Sequence, residues 1–168
     1  MKSTLSGTAN VTRARAFADS DTGDVTLYLA GPSGAVAEAD RALVEAAIIT
    51  NATPLCVTPT VLSSTNVLVP ITYQLWLYSS VGVTEAEAEA AVDAALDAMF
   101  LSRPIGGDVI SASGNLYLTM IESVIRATYP GKAFRVSVPL PAGDTPLAQN
   151  EVAVKGAVTP TITFVDDP

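Results

Sequence analysis

"SRPIGGDV", residues 102–109, lies between two stretches with helical periodicity. Its reading decides the fold, because adjacent glycines can mark either a phosphate-binding loop or a hinge. A phosphate loop follows a strand, opens a helix, and carries a GxGxxG or GK[ST] pattern. This loop follows a helical pattern and carries neither. Gly106 and Gly107 therefore read as helix-ending glycines, placed where positive φ is needed and other residues are strained.

The helix before the hinge is "VTEAEAEAAVDAALDAMFLS". Thr84 and Glu87 form a capping-box pattern at its start, and its alanines give high helix propensity. Glu85, Glu89, Asp93 and Asp97 recur at every fourth position and make a slowly rotating acidic stripe. Such a stripe is either a solvated face or a surface for a basic partner. Beyond the hinge, Leu116, Tyr117, Met120, Ile121, Val124 and Ile125 mark the apolar side of a second helix. "YPG", with Gly131, stops it.

Working outward, "VLVPITYQLWLYSS" is the strongest strand, Val67 to Tyr78. It is apolar on nearly both sides, which predicts that both faces are covered. Pro70 predicts an edge or a bulge near its start. Trp76 reads as a core or interface anchor. Near the N-terminus, Val11, Arg13, Arg15 and Phe17 alternate with Thr12, Ala14 and Ala16. "DSDTGD" then turns into a second alternating strand over 25–29. A glycine turn holding Gly31 and Gly34 leads to a helix whose inward side reads as Val36, Ala39, Leu43, Ala46, Ala47 and Ile48. "NATPLCVTPTVLSSTN" reads as a return strand. "KAFRVSVPLP" predicts a strand with Phe134, Val136, Val138 and Leu140 inward, and "EVAVKGAVTPTITFV" one or two closing strands around Gly156. The order is β-β-α-β, then β-α-α-β-β. It predicts an α+β protein of two small related units, 1–63 and 64–168, each a mostly antiparallel sheet with helices on one face.

Composition excludes more chemistry than it suggests. The chain has 168 residues, 49% hydrophobic and 15% charged, too apolar for a disordered chain. No apolar run approaches the roughly 20 residues of a membrane span, and the first 20 residues lack the apolar run of a secretory signal. Net charge is −8, with nine Lys and Arg and no basic stripe, so a nucleic-acid partner is not expected. The absence of histidine removes His-based triads, His metal ligands and His general bases. Cys56 stands alone and reads as a buried structural thiol rather than a reactive one. Asp19, Asp21 and Asp24 read as turn composition, with a weak hard-cation site the alternative. Neither they nor Asp108, Asp166 and Asp167 supply a nucleophile with a base. The reading is a non-catalytic protein with no metal, no cofactor and no small-molecule substrate.

The order of punctuation carries a resemblance. "DVTLYLAGPSGAVAEADRALVEAAI", "VLVPITYQLWL", "EAAVDAALDAMFLSRPIGGDVISASGNLYLTMI", "YPGKAFRVSVPLPAGD" and "LAQNEVAVKGAVT" follow one another over 11–158. This succession of strand, glycine turn, helix, Gly-Gly turn, helix and closing Glu-Val segment resembles the C-terminal portion of the baseplate J-like family. Those are wedge proteins of contractile phage tails such as that of phage Mu. Glu151, Val152 and Gly156 stand in the closing positions. "NATPLC" replaces the family's Arg-Pro-Val-Gly-like turn, and the family's N-terminal half has no counterpart here. The resemblance implies a structural role in the baseplate wedge of a phage or a tail-derived injection system. It implies assembly with other tail proteins and with copies of itself, and a place in the virion after assembly in the host cytoplasm. Trp76, Tyr78, Glu85, Glu89, Asp93 and Asp97 are the candidate contacts. A stand-alone binding module without catalysis is the alternative.

Overall fold

A computed structural model describes residues 10–19, 21–51, 59–109 and 114–168. Cys56, most of the "NATPLC" turn and the first residues of the chain lie outside the described residues. The first sheet is built on β2 (Val25–Gly31), which pairs antiparallel with β1 (Arg13–Ala18) and with the short β3 (Gly34–Ala35), and parallel with β4 (Thr60–Ser63). The β1–β2 turn is closed by Asp19, whose carboxylate accepts from the amides of Asp21 (2.8 Å) and Thr22 (3.3 Å).

Helix α1 (Glu38–Asn51) packs on this sheet through Val44, with Ile48 beside it, against Leu29 and Val61. Its inward side differs from the predicted one: Leu43 is 49% exposed, and Ala39 and Ala46 face solvent. The reason is Arg41. It donates to the Val61 carbonyl (2.9 Å) and to Glu38 and Glu45 (2.6–2.8 Å), so the side carrying Arg41, Val44, Glu45 and Ile48 turns toward β4.

The second, larger sheet has the order β10-β5-β8. Its centre is β5 (Thr65–Tyr78), antiparallel to β8 (Ala133–Leu140) and parallel to β10 (Glu151–Val165) over almost its full length. The closing segment is thus a single strand. A bulge at Gly156 and Ala157 opposes Pro70, where β5 has no N–H to offer the ladder. So Pro70 marks a bulge in a central strand, not an edge.

Helices α2 (Glu85–Ser102) and α3 (Leu118–Thr128) cover one face of this sheet. Val69, Ile71, Tyr73, Leu75 and Leu77 meet Ala88, Val92, Leu96, Phe100, Ile121 and Ile125 in the main core. Each large side chain there contributes about 1.5–3 kcal/mol of burial. The expectation that both faces of β5 are covered is not met: the alternate side chains Leu68, Pro70, Thr72, Gln74, Trp76 and Tyr78 are exposed or half-buried. Among the described residues no helix packs on that side.

Three further readings are corrected. Leu116 ends β7 (Gly114–Leu116) and Tyr117 precedes α3, so the second helix starts later than the apolar pattern suggests. Phe134 and Leu140 point outward, at 57% and 41% exposure, because two irregularities in the β5–β8 register break the strand's alternation. Gly31 is the last residue of β2 rather than a turn residue. A third, small sheet joins β6 (Asp108–Val109), β7 and β9 (Thr145–Leu147). The chain is an α+β protein with mostly antiparallel pairings, and among the described residues no helix is long and apolar enough to cross a membrane.

Candidate functional site

The loop quoted first is a junction. Thr84 caps the start of α2 with the predicted reciprocal bonds to Glu87: Oγ1 accepts from the Glu87 amide (3.3 Å) and the Glu87 carboxylate accepts from the Thr84 amide (2.8 Å). The helix ends because Pro104 forces Arg103 into extended backbone (φ −73°, ψ 136°). Gly106 and Gly107 then reverse the chain at φ of +76° and +68°.

The last turn of α2 has no basic residue of its own. Arg13 of β1 supplies one. Its Nη1 donates to the carbonyls of Phe100 (3.1 Å) and Arg103 (3.3 Å), and Nη2 donates to the Gly31 carbonyl (2.7 Å). Arg15, two residues on and on the same face, donates from Nη1 to the carbonyls of Ile105 (2.6 Å) and Gly107 (3.2 Å). Cations at a helix C-terminus satisfy orphan carbonyls and oppose the helix dipole. Beside them Ala30, Ile105 and Val152 close a small apolar cluster between the two sheets. The glycine loop is therefore fastened to the first sheet by two inward-facing arginines.

The candidate contacts fall into two groups on opposite faces of the large sheet. Trp76 and Tyr78 stand on the helix-free face. Arg135 lies over the Trp76 ring, 4.9 Å from its centroid, and Phe134 packs against Tyr78 at 5.8 Å between ring centres. Leu68, 67% exposed, and Leu140 share this face. Beside it β10 is an edge strand. The β10–β5 ladder runs unbroken through Pro160, which has no N–H, so the Pro160 nitrogen faces the open side.

The acidic residues lie on α2, at the other face. Asp93 and Asp97 are bridged by Lys155 of β10, whose Nζ lies 2.6 Å and 2.7 Å from their carboxylates. Burial works against the Lys155 charge, yet these two carboxylates hold its ammonium above the ordinary lysine value. Glu85 and Glu89 have no ionic partner among the described residues. Between α2 and β10 a cleft of about 390 Å³ is lined by Tyr73, Glu89, Asp93, Val158 and Pro160. Burial, then the charges of Glu89 and Asp93, push the Tyr73 phenol up to about 12.

Two of the other carboxylates considered from the sequence are engaged structurally. Asp108 pairs with Arg103 at 3.0 Å, and Asp167 accepts from Ser80 at 2.8 Å. Among the described residues no group of three or more His, Cys, Asp or Glu side chains converges as a metal site would. Sequence reasoning missed Arg13, Arg15 and Lys155. A signal existed for the first two: they alternate in phase with Val11 and Phe17, so they had to point the same way as the apolar side chains.

No protein-family model and no curated protein sequence matches the chain.

Proposed function

We propose that the chain is a structural component of a contractile-tail baseplate wedge, acting through protein–protein assembly rather than catalysis. Its partners are other tail proteins and further copies of itself, and its place is the virion. The observation that carries the reading is the helix-free face of the large sheet. A sheet covered on one side only leaves Trp76, Tyr78, Phe134, Leu68 and Leu140 at the surface beside an edge strand. Aromatic and large apolar side chains gathered on one face are what protein interfaces use as anchors. The motif order over 11–158 supplies the kind of assembly. The test is co-expression with the tube, sheath and hub proteins encoded nearest to it, followed by purification and mass measurement. A stoichiometric complex lost on Trp76→Ala or Phe134→Asp is the expected result. A folded chain that stays monomeric and captures none of them ends the reading.

A stand-alone binding module is the second reading. What favours it is a cleft of about 430 Å³ between the first sheet and α2, lined in part by Arg13, Phe100, Asp97 and Lys155. Its cations are already committed to carbonyls and to Asp93 and Asp97, which leaves little to recognise a small polar ligand.

A further inference from the structure

The acidic groove between α2 and β10 holds more acceptors than its own residues use. Asp93, Asp97 and Glu89 bring three carboxylates to a stretch where Lys155 is the cation that pairs with two of them. Glu89 is left without an ionic partner among the described residues. Asp93 uses Oδ1 on Lys155, and no bond to its second oxygen is seen. Beside Glu89 and Asp93 lies Tyr73, 1% exposed, which lines the cleft with them. Its hydroxyl makes no hydrogen bond among the described residues. The phenol lines the cleft, so a group that enters there can supply the partner its hydroxyl lacks. The same cleft is bounded by Val158 and Pro160 on the open edge of β10, so a side chain can enter it from outside the molecule.

We propose that this cleft receives an arginine side chain of a protein partner, with Glu89 as the principal acceptor and Asp93 and Tyr73 completing the shell. A guanidinium fits better than an ammonium. Its planar fork can engage the Glu89 carboxylate with two parallel N–H donors and still present a third N–H to the Tyr73 oxygen. Tyr73, protonated at physiological pH, can accept that bond and donate its own O–H to a carboxylate. Val158, Pro160, Ala86 and Ala90 supply an apolar wall for the methylene stem. The partner's being a protein rests on the assembly reading; the guanidinium site does not.

The test uses the full chain, labelled with ¹⁵N, and three small probes: N-acetylarginine methylamide, its lysine counterpart, and the neutral citrulline counterpart. The arginine probe is expected to shift the amides of Glu89, Asp93, Tyr73 and Val158, with the citrulline probe silent. Glu89→Gln should weaken this binding about tenfold or more, and Tyr73→Phe by a smaller factor with the fold intact. Shifts spread evenly to Glu85 and Glu122, an unchanged response in Glu89→Gln, or equal binding of the lysine probe would overturn the proposal. Repeating the co-purification with Glu89→Gln separates the two readings. A complex that forms undiminished sinks the arginine site and leaves the assembly role. Arginine binding without any complex does the reverse.

Discussion

Arg13 of β1 donates from Nη1 to the carbonyl oxygen of Phe100, 3.1 Å away at the end of α2. The bond joins residues 87 positions apart and ties the first sheet to the longest helix. Burial lowers the Arg13 pKa, and its partners are carbonyls rather than carboxylates. Arg13→Met should cost about 2–4 kcal/mol, because three carbonyls lose a charged donor. Arg13→Lys should recover only part of this, since one ammonium cannot span the same acceptors. Urea unfolding of the two variants measures both. Equal stability of Arg13→Met and wild type would show that the junction is held by the Ala30–Ile105–Val152 cluster instead.

Gly107 and Gly131 both sit at positive φ, yet only one is crowded. A Cβ on Gly107 would lie 2.7 Å from the Asn115 amide nitrogen, whereas one on Gly131 would meet nothing within 4 Å. Gly131→Ala should cost about 1–2 kcal/mol from backbone strain alone. Gly107→Ala should cost more, because β7 must also move. Thermal unfolding of the pair isolates the steric part, and equal losses would refute it.

The capping box gives a prediction on the acid side. The Thr84 backbone and side-chain bonds hold the Glu87 carboxyl below its ordinary value. A depressed carboxyl stabilises the fold above its unfolded pKa and ceases to do so as pH falls through the folded one. The stability difference between wild type and Glu87→Gln should therefore be largest near neutrality and shrink below about pH 4. Thr84→Ala should cost about 1 kcal/mol. Denaturant melts at pH 7 and pH 3 check both.

The alkaline side is governed by Tyr73, Tyr129 and Lys155, all raised in the folded chain. A raised pKa contributes stability that is complete below the unfolded value and is lost as pH rises through the folded one. Stability should fall from about pH 10, where an unfolded tyrosine ionises, to about pH 12, where Tyr73 follows. Tyr73→Phe should flatten the part due to the phenol. An ultraviolet titration that finds every tyrosine ionising together near pH 10 in the folded chain would contradict this.

Much of the fold was legible because local rules and tertiary packing agreed. Thr84 and Glu87 announced a helix start, and the Gly-Gly pair its exit, since both depend on neighbours in sequence. The face of α1 was misjudged because an arginine, normally assigned to solvent, faces the sheet to reach the Val61 carbonyl. The helix-free side of β5 was only half signalled: Thr72 and Gln74 alternate with buried Ile71, Tyr73 and Leu75, but Leu68 and Trp76 on the same side are as apolar as their buried neighbours and hide the alternation. Grouping Trp76 and Tyr78 with the acidic stripe as one set of contacts ignored the period-two alternation that sends Tyr73 toward α2 and Trp76 away from it. Lys155 lay 58 residues beyond Asp97, and no local pattern joins them.

The parallel pairing of β10 with β5 also sets the order of events during folding. Ser79 and Val165, bonded at one end of the ladder, are 86 positions apart, and at the other end Thr65 pairs with Glu151. On the ribosome, β5 emerges with α2 and α3 well before the strand that completes its sheet. Such non-local closure is slow, on the order of milliseconds to seconds. Until it happens one edge of β5 stays open and Asp93 and Asp97 lack their lysine. The surfaces offered to a partner therefore exist in final form only after the last strand has docked, so a half-made chain cannot present them.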